Sequence, residues 1–159
     1  MNFYKLTLFI SIFFVLPIRA QINTNNALGL RGGDNDGLAF ELSYQRHVSD
    51  KQNQRLEFGL GWKDSNNLEY LKLIGLYEFV SKLAGDYRWY AGAGGGIGSF
   101  KTSLVDDNYG LVAGVIGIEY SEPNLPILFS LDFRPEYGFN NDFSDDIDFD
   151  VGLSIRIQF

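Results

Sequence analysis

The sequence DIDFDVGLSIRIQF, residues 146–159, alternates between large apolar residues and polar or small ones up to its last position. The apolar residues occupy consecutive odd positions: Ile147, Phe149, Val151, Leu153, Ile155, Ile157 and Phe159. Because successive side chains of a β-strand point to opposite faces, this period of two predicts a strand with one apolar face. The even positions, among them Ser154 and Arg156, predict a polar opposite face.

The same alternation recurs along the chain in eight segments, which clusters of Gly, Asn, Asp, Ser or Pro separate. The predicted strands are 27–33, 37–47, 54–63, 68–80, 88–100, 109–121, 125–138 and 147–159. A length of 159 residues suits a single domain with a sizeable core. No helical repeat or heptad interrupts the pattern, so the predicted fold class is all-β.

The N-terminal segment MNFYKLTLFISIFFVLPIRA, residues 1–20, has the organisation of a cleaved signal peptide. Lys5 forms a short basic region, an apolar region follows, and Ala20 is a small residue before the cut. The apolar run is about 11 residues long, shorter than the ~20 that a membrane-spanning helix needs, which argues against an N-terminal anchor. We therefore predict export, cleavage between Ala20 and Gln21, and a barrel domain formed by residues 21–159.

Composition limits the chemistry that the chain can perform. The absence of cysteine excludes disulfides and thiolate metal sites, and a single histidine argues against a zinc site. Loss of residues 1–20 lowers the number of basic residues from 13 to 11 against 20 acidic ones, a net charge of −9. Nucleic acid is therefore not an expected partner, and no motif predicts a cofactor.

The stretch AGAGGGIGSF, residues 91–100, carries glycines on one face of the predicted fifth strand: Gly92, Gly94, Gly96 and Gly98. A dinucleotide-binding fingerprint starting here would need glycine at position 97 or 99, where Ile97 and Ser99 stand, and a helix after it. We therefore expect the glycines to empty one face of a strand and to leave room for long neighbours such as Arg134 and Glu136.

Alternation alone does not say which face lines the interior, so side-chain volume must decide. The apolar face carries on the order of 30 large side chains, whereas a closed eight-stranded barrel is filled by about twelve. The apolar face must then point outward into a membrane, where strands of ~9–11 residues suffice and closure pairs every backbone group. Aromatic residues that suit the membrane boundary lie toward strand ends: Trp62, Tyr44, Trp89, Tyr120, Tyr137 and Phe159.

On these features the chain resembles the small eight-stranded outer-membrane barrels of the OmpA and OmpX type found in Gram-negative bacteria, over residues 27–159. The resemblance implies an eight-stranded antiparallel up-and-down transmembrane β-barrel, monomeric, in contact with outer-membrane lipid and lipopolysaccharide. It also implies that Phe159, as the carboxyl-terminal residue, is a membrane-insertion signal read by the barrel-assembly machinery. The turn 47–55 is long for a periplasmic turn of that family, which weakens a recognition role for the opposite loops.

The inward face predicts a lumen plugged by charged side chains and, with it, a structural or surface-interaction role without catalysis. The expected lumen charge network comprises Arg31, Glu41, Glu57, Lys72, Glu78, Glu119, Asp132, Arg134, Glu136 and Arg156. Buried ion pairs specify an arrangement more reliably than they stabilise it. A proton or small-ion path through this network is the alternative interpretation.

The loops expected at the outer face are short and acidic. Their aspartates are Asp34, Asp36, Asp64, Asp106, Asp107, Asp142, Asp145 and Asp146. Hard cations prefer carboxylate oxygens, so these loops are candidates for binding divalent cations that also bridge lipopolysaccharide phosphates. Turn chemistry explains the same residues, because Asp and Asn favour the conformations that turns require.

Two alternatives to a non-catalytic membrane barrel remain open at this point. His47 and Ser49, with Glu57 ten residues beyond His47, resemble the arrangement in outer-membrane lipid A deacylases and would make the chain a lipid-modifying hydrolase. His47 is expected on the periplasmic side, however, whereas the substrate of that family lies in the outer leaflet. The second alternative is a soluble exported β-sandwich binding protein, which would bury the large residues between two sheets.

Overall fold

The computed structural model describes residues 25–34, 38–49, 53–65, 68–102, 106–139 and 147–159. These residues form eight strands: β1 Asn26–Asp34, β2 Leu38–His47, β3 Gln54–Ser65, β4 Leu68–Ala84, β5 Tyr87–Thr102, β6 Asp106–Ser121, β7 Ile127–Phe139 and β8 Ile147–Gln158. Each strand pairs antiparallel with its neighbours in the chain, and β1 pairs with β8 to close a barrel. The predicted signal peptide lies outside the described residues. No helix in the described part of the chain is long and apolar enough to cross a membrane.

The eight-stranded up-and-down barrel predicted from the alternation is confirmed. The alternative of a two-sheet sandwich is wrong, because one sheet closes on itself. Strand β4 continues past its predicted end to Ala84, and a two-residue turn follows in which Gly85 has a φ of 56°, a left-handed conformation that favours glycine. Strand β7 starts later than predicted, at Ile127, since Pro126 has no N–H to donate to the ladder.

The polarity of the barrel wall is inverted relative to that of a soluble protein. On β8, Leu153 is 67% exposed, whereas Arg156 is fully buried. The other strands follow the same rule, with large apolar side chains on the outer face and most of the charged ones on the inner face. Such a wall suits an apolar surrounding, because lipid can cover the outer face while the closed ladder satisfies the backbone.

The barrel wall turns sharply at two opposite corners, and both corners need glycine. A β-carbon at Gly94 of β5 would collide with the Gly75 carbonyl of β4. A β-carbon at Gly29 of β1 would collide with the Ile155 carbonyl of β8. Glycine permits this approach because it has no side chain to place between the two backbones.

Candidate functional site: the charged interior

All ten side chains of the expected lumen charge network are buried inside the barrel. They come from every strand except β5, whose inner face carries the glycine row. We call the end of the barrel where β1 begins and β8 ends the terminus end, and the opposite end the loop end. At the terminus end, the N–H of Phe159 donates to the Asn26 carbonyl at 2.9 Å, and the N–H of Asn26 donates to the Phe159 carbonyl at 3.1 Å.

Arg31 of β1 pairs with an aspartate on each of two other strands. Its guanidinium nitrogens lie 2.6 Å from Asp132 Oδ1 on β7 and 2.6 Å from Asp150 Oδ2 on β8. The Tyr90 hydroxyl of β5, two strands away from β7, donates to the other oxygen of Asp132 at 3.1 Å. Asp132 is therefore held by one group from β1 and one from β5, on either side of β7.

Glu57 of β3 is the centre of the largest cluster. Its carboxylate accepts hydrogen bonds from Ser43 at 3.1 Å and Gln45 at 2.6 Å, both on the neighbouring strand β2. It also pairs with Arg156 of β8 at 3.1 Å and with Arg134 of β7 at 3.4 Å. One carboxylate thus connects two guanidinium groups that belong to the opposite wall.

The contacts of these two arginines extend the cluster further. Arg134 pairs with Glu41 of β2 at 3.1 Å. Arg156 donates to the hydroxyls of Ser43 at 2.8 Å and of Ser130 at 2.7 Å. Charge-assisted hydrogen bonds of this kind are shorter and stronger than neutral ones, so the cluster restrains β2, β3, β7 and β8 together.

A second cluster lies toward the terminus end around Arg55 of β3. Its guanidinium lies 2.5 Å from Glu78 on β4 and 2.5 Å from Glu119 on β6, and its charge sits 4.5 Å from the centre of the Tyr90 ring. Arg88 of β5 approaches Glu119 at 2.9 Å from the rim. Toward the loop end, the ammonium of Lys72 on β4 reaches Glu136 on β7 at 2.8 Å and 2.9 Å.

Sequence reasoning missed several members of these clusters. Arg55 lies in β3, inside the predicted strand 54–63 and with the same parity as Glu57, yet the predicted network omits it. Asp150 lies on the inward parity of the last strand and was left out of the network. For Tyr90 and for the hydroxyls that bind Arg156, the only indication in the sequence is that they occupy inward-facing positions of their strands.

The expected polar lumen is wrong for one part of the interior. Buried apolar side chains on β4, β5 and β6 pack together there: Ile74, Leu76, Val80, Tyr90, Leu111, Ala113 and Val115. Their strands also carry large apolar residues on the outer face, so this section of the wall is apolar on both sides.

The expectation that the β5 glycines make room for Arg134 and Glu136 is also wrong. The atoms nearest to a side chain built at Gly94 or Gly96 belong to the β4 backbone, because the wall bends at this corner. Long charged side chains find room elsewhere. The carboxylate of Glu41 lies over Gly59, and the guanidinium of Arg31 lies over Gly152.

Of the candidate catalytic residues, Glu57 belongs to the lumen cluster and His47 ends strand β2. Glu57 faces Gln45 across the β2–β3 ladder, and His47 faces Arg55. The carboxylate of Glu57 is engaged by the side chains of the lumen cluster, and within the described residues the buried Nδ1 of His47 has no hydrogen-bond partner. His47 lies at the terminus end, where its backbone N–H donates to the Asn25 carbonyl at 2.8 Å.

The candidate cation ligands of the loops are not tested by the structure. Asp36, Asp142, Asp145 and Asp146 lie outside the described residues, and the side chains of Asp34, Asp64, Asp106 and Asp107 are not described. In the part of the chain that the structure does describe, no group of three or more histidine, aspartate or glutamate residues could hold a metal ion.

Solved structures of similar barrels match most of the chain. The N-terminal β-barrel domain of Pseudomonas aeruginosa OprF matches with a TM-score of 0.69 at 13% identity, covering 86% of this chain and 98% of that domain. Neisserial surface protein A matches with a TM-score of 0.64 at 10% identity, covering 84% of this chain and 94% of that protein. This chain has the fold of a small outer-membrane β-barrel.

A designed protein gives the same result for the fold. A de novo transmembrane β-barrel matches this chain with a TM-score of 0.56 at 17% identity, covering 87% of this chain and 98% of the design. No protein-family model and no curated protein sequence matches the chain. The resemblance predicted from the sequence is thus confirmed for the fold, and any activity must be argued from the residues themselves.

Proposed function

We propose that the chain is an integral outer-membrane barrel of a Gram-negative bacterium with a lumen closed by ion pairs, and that its role is structural or surface-interacting and not catalytic. The observation that carries the proposal is the set of ion pairs that cross the lumen inside an apolar wall. Arg55 reaches from β3 to β6, Lys72 from β4 to β7, and Arg134 from β7 to β2.

The outer wall supports integration into a bilayer. Its exposed side chains are large and apolar on all eight strands, and Trp62 and Trp89 are among them. A soluble protein rarely exposes so large a continuous apolar surface. In a membrane the same surface needs no partner protein, because acyl chains cover it.

The interior supports a closed lumen and not a water-filled channel. Eight strands enclose a space just wide enough for side chains to fill. Four arginines inside this space are almost completely buried: Arg31, Arg55, Arg134 and Arg156. Each is paired with acidic side chains, so an ion entering the lumen would have to break existing pairs.

The lipid-modifying alternative has less support from the geometry. A nucleophile needs a base within hydrogen-bond reach and a third group that orients the base. Glu57 is already engaged by two arginines, a serine and a glutamine, which lowers its capacity to orient His47. His47 is then described more simply as a histidine at the end of a strand than as a catalytic base.

The proposal includes the partners expected from the resemblance. Outer-membrane lipid and lipopolysaccharide would contact the wall and loops of a monomer, and the barrel-assembly machinery would read Phe159. The Phe159 side chain is 57% exposed, so it is available to a partner while its backbone stays paired with β1. We expect Phe159→Ala to reduce the amount of chain recovered in the outer membrane, measured by immunoblot of the fractionated envelope, with Phe139→Ala as an exposed control.

Fractionation tests the membrane proposal. The full chain is expressed with its N-terminal segment, the outer-membrane fraction is isolated, and unboiled and boiled samples are compared by electrophoresis in detergent. We expect the chain in that fraction, with a shift in mobility on boiling, because a closed barrel resists unfolding by detergent. Recovery in the soluble periplasm without a shift would contradict the proposal.

Lipid analysis tests the absence of catalysis. Cells that express the wild-type chain, the variant His47→Ala or no chain are compared for the acyl composition of their lipopolysaccharide by mass spectrometry. We expect three identical profiles. A deacylated species that appears with the wild-type chain and disappears with His47→Ala would establish the hydrolase instead.

A further inference from the structure

A groove runs along the outer wall over β6, β7 and β8. Its first part has a volume of about 510 Å³ and begins at Tyr87 and Tyr120, near the terminus end. A second part of about 340 Å³ continues past Trp89. Ile118 and Leu131 line both parts, so the two parts are adjacent on the wall. The wall is therefore indented here along a path that an extended apolar chain could follow.

The groove opens beside a group of aromatic and acidic side chains that we call the acidic collar: Tyr87, Tyr120, Asp86 and Glu122. The two tyrosine rings lie 5.0 Å apart, and the Tyr120 hydroxyl donates to Glu122 at 3.1 Å. The Asp86 carbonyl accepts the N–H of Ser121 at 3.2 Å, which holds the β4–β5 turn against the end of β6.

The charge of the collar is not cancelled by the nearest basic residue of β5. Arg88 follows Tyr87 in the chain, but its side chain points toward the interior and pairs with Glu119 at 2.9 Å. Asp86 is exposed and Glu122 is half-buried, and both lie at the terminus end of the barrel. The collar therefore places two carboxylates and two ring faces near the mouth of an apolar groove.

We infer that this groove binds a phospholipid with a primary-amine headgroup, with an acyl chain in the groove and the ammonium at the acidic collar. The groove is open along its length, so an extended acyl chain would lie along it. An ammonium donates up to three hydrogen bonds, which suits two carboxylates, and it is attracted by aromatic ring faces. An anionic headgroup would be repelled by the same carboxylates. The inference rests on the proposed membrane integration.

Trp89 provides a reporter, because it lines the groove, and Trp62 on β3 provides a control on another part of the wall. These are the two tryptophans of the chain. The variant Trp62→Phe reports on Trp89 alone, and Trp89→Phe reports on Trp62 alone. Each full-length variant is reconstituted in phosphatidylcholine vesicles that contain the same small fraction of either dibrominated phosphatidylethanolamine or dibrominated phosphatidylglycerol, and quenching of fluorescence is measured.

We expect phosphatidylethanolamine to quench Trp89 about threefold more effectively than phosphatidylglycerol, as a partly exposed cation–π and carboxylate site would give. Trp62 should be quenched equally by both lipids. In the Trp62→Phe background, Glu122→Gln should remove the preference at Trp89. Asp148→Asn, which removes an exposed acid of β8 near the loop end, should leave it unchanged.

The outcomes separate this inference from the proposed function. Quenching of both tryptophans without a headgroup preference at Trp89 would overturn the inference and leave membrane integration intact. Trp89 shielded from every brominated lipid while Trp62 is quenched would mean that a second copy covers the groove, which also overturns it. No quenching at either tryptophan would contradict membrane integration itself.

Discussion

Two regions of the interior are filled in different ways. On β1, β2, β3, β7 and β8, long charged side chains cross the lumen and interlock, with Glu57 holding Arg134 and Arg156. In the middle of β4, β5 and β6, apolar side chains such as Ile74 and Leu76 pack against one another, and the glycine row lets the backbones of β4 and β5 approach closely. A barrel of eight strands thus combines a charged half and an apolar half, and Lys72, Glu78 and Glu119, although they lie on β4 and β6, pair with the charged half.

The two kinds of packing predict different responses to single substitutions. A buried charge that loses its partner keeps the full cost of desolvation, so the charged half depends on every member of a cluster. An apolar contact that is lost costs only packing and the cavity left behind, which neighbours can partly fill. The charged half should therefore be more sensitive to single substitutions, and the apolar half more tolerant.

The largest effect is expected from Glu57→Gln. The substitution keeps the shape of the side chain but leaves Arg134 and Arg156 short of negative charge, and breaking a buried pair in this way costs about 3–5 kcal/mol. Urea unfolding of the chain in lipid vesicles, followed by tryptophan fluorescence, measures the loss. Asp148→Asn removes an exposed carboxylate and should change the free energy of unfolding little. Equal stability of the two variants would show that the charged half does not depend on Glu57.

A comparable but smaller loss is expected from Leu76→Ala in the apolar half. Removal of a buried leucine side chain costs about 2–5 kcal/mol, and the flexible apolar neighbours place this site toward the lower end. The matched control is Leu73→Ala on the outer face of the same strand, where lipid replaces the lost contacts. If both variants unfold at the same urea concentration, the assignment of Leu76 to the interior is contradicted.

The corner between β4 and β5 gives a third test. Gly94→Ala would place a methyl group against the Gly75 carbonyl, and relief of such overpacking costs about 1–3 kcal/mol. At Gly32 a β-carbon would meet nothing within 4 Å, so Gly32→Ala is the control and should fold as the wild type does. The readout is the fraction of chain that shows the compact, unboiled mobility after refolding into vesicles. An unaffected Gly94→Ala variant would remove the argument for a sharp corner.

The smallest effect is expected when a whole ion pair is replaced. The double variant Lys72→Met with Glu136→Gln removes both charges of one cross-lumen pair, and such replacements are often neutral, within about 1 kcal/mol. Each single variant should be clearly less stable, because it leaves one buried charge unpaired. A double-mutant cycle of unfolding free energies measures the coupling. Additive losses would indicate that Lys72 and Glu136 do not interact.

Much of the fold could be predicted because alternation is a local property of the sequence. The last strand is an example, since its predicted start at Ile147 is confirmed and its odd positions all face outward. The total volume of the large apolar side chains, which is too great for the lumen, then indicates that the polar face of each strand lines the interior. The predicted start of β3 at Gln54 is confirmed, so Arg55 falls inside the predicted strand, but the network predicted from the sequence leaves it out.

The partners inside the lumen could not be predicted, because they depend on how the strands tilt and stagger around the barrel. Arg55 and Glu119 are 64 residues apart and lie on strands that do not pair. The apolar half was missed for a different reason. Strand β4 carries Leu73 outward and Ile74 inward, so neither face stands out by polarity.

The central claim is that the apolar face of each strand meets lipid while the charged face fills a dry lumen. Because the chain has no cysteine, Leu153→Cys, Ser154→Cys and Ile155→Cys each give a single site for a spin label on β8. Accessibility to oxygen, which concentrates in lipid, and to a nickel chelate, which stays in water, is measured by electron paramagnetic resonance in vesicles. We expect labels at 153 and 155 to be accessible to oxygen and the label at 154 to be shielded from both reagents. Access of the nickel chelate to position 154 would mean a water-filled lumen. Access of the nickel chelate to positions 153 and 155 would mean that the outer wall does not face a membrane. Either result would contradict the account.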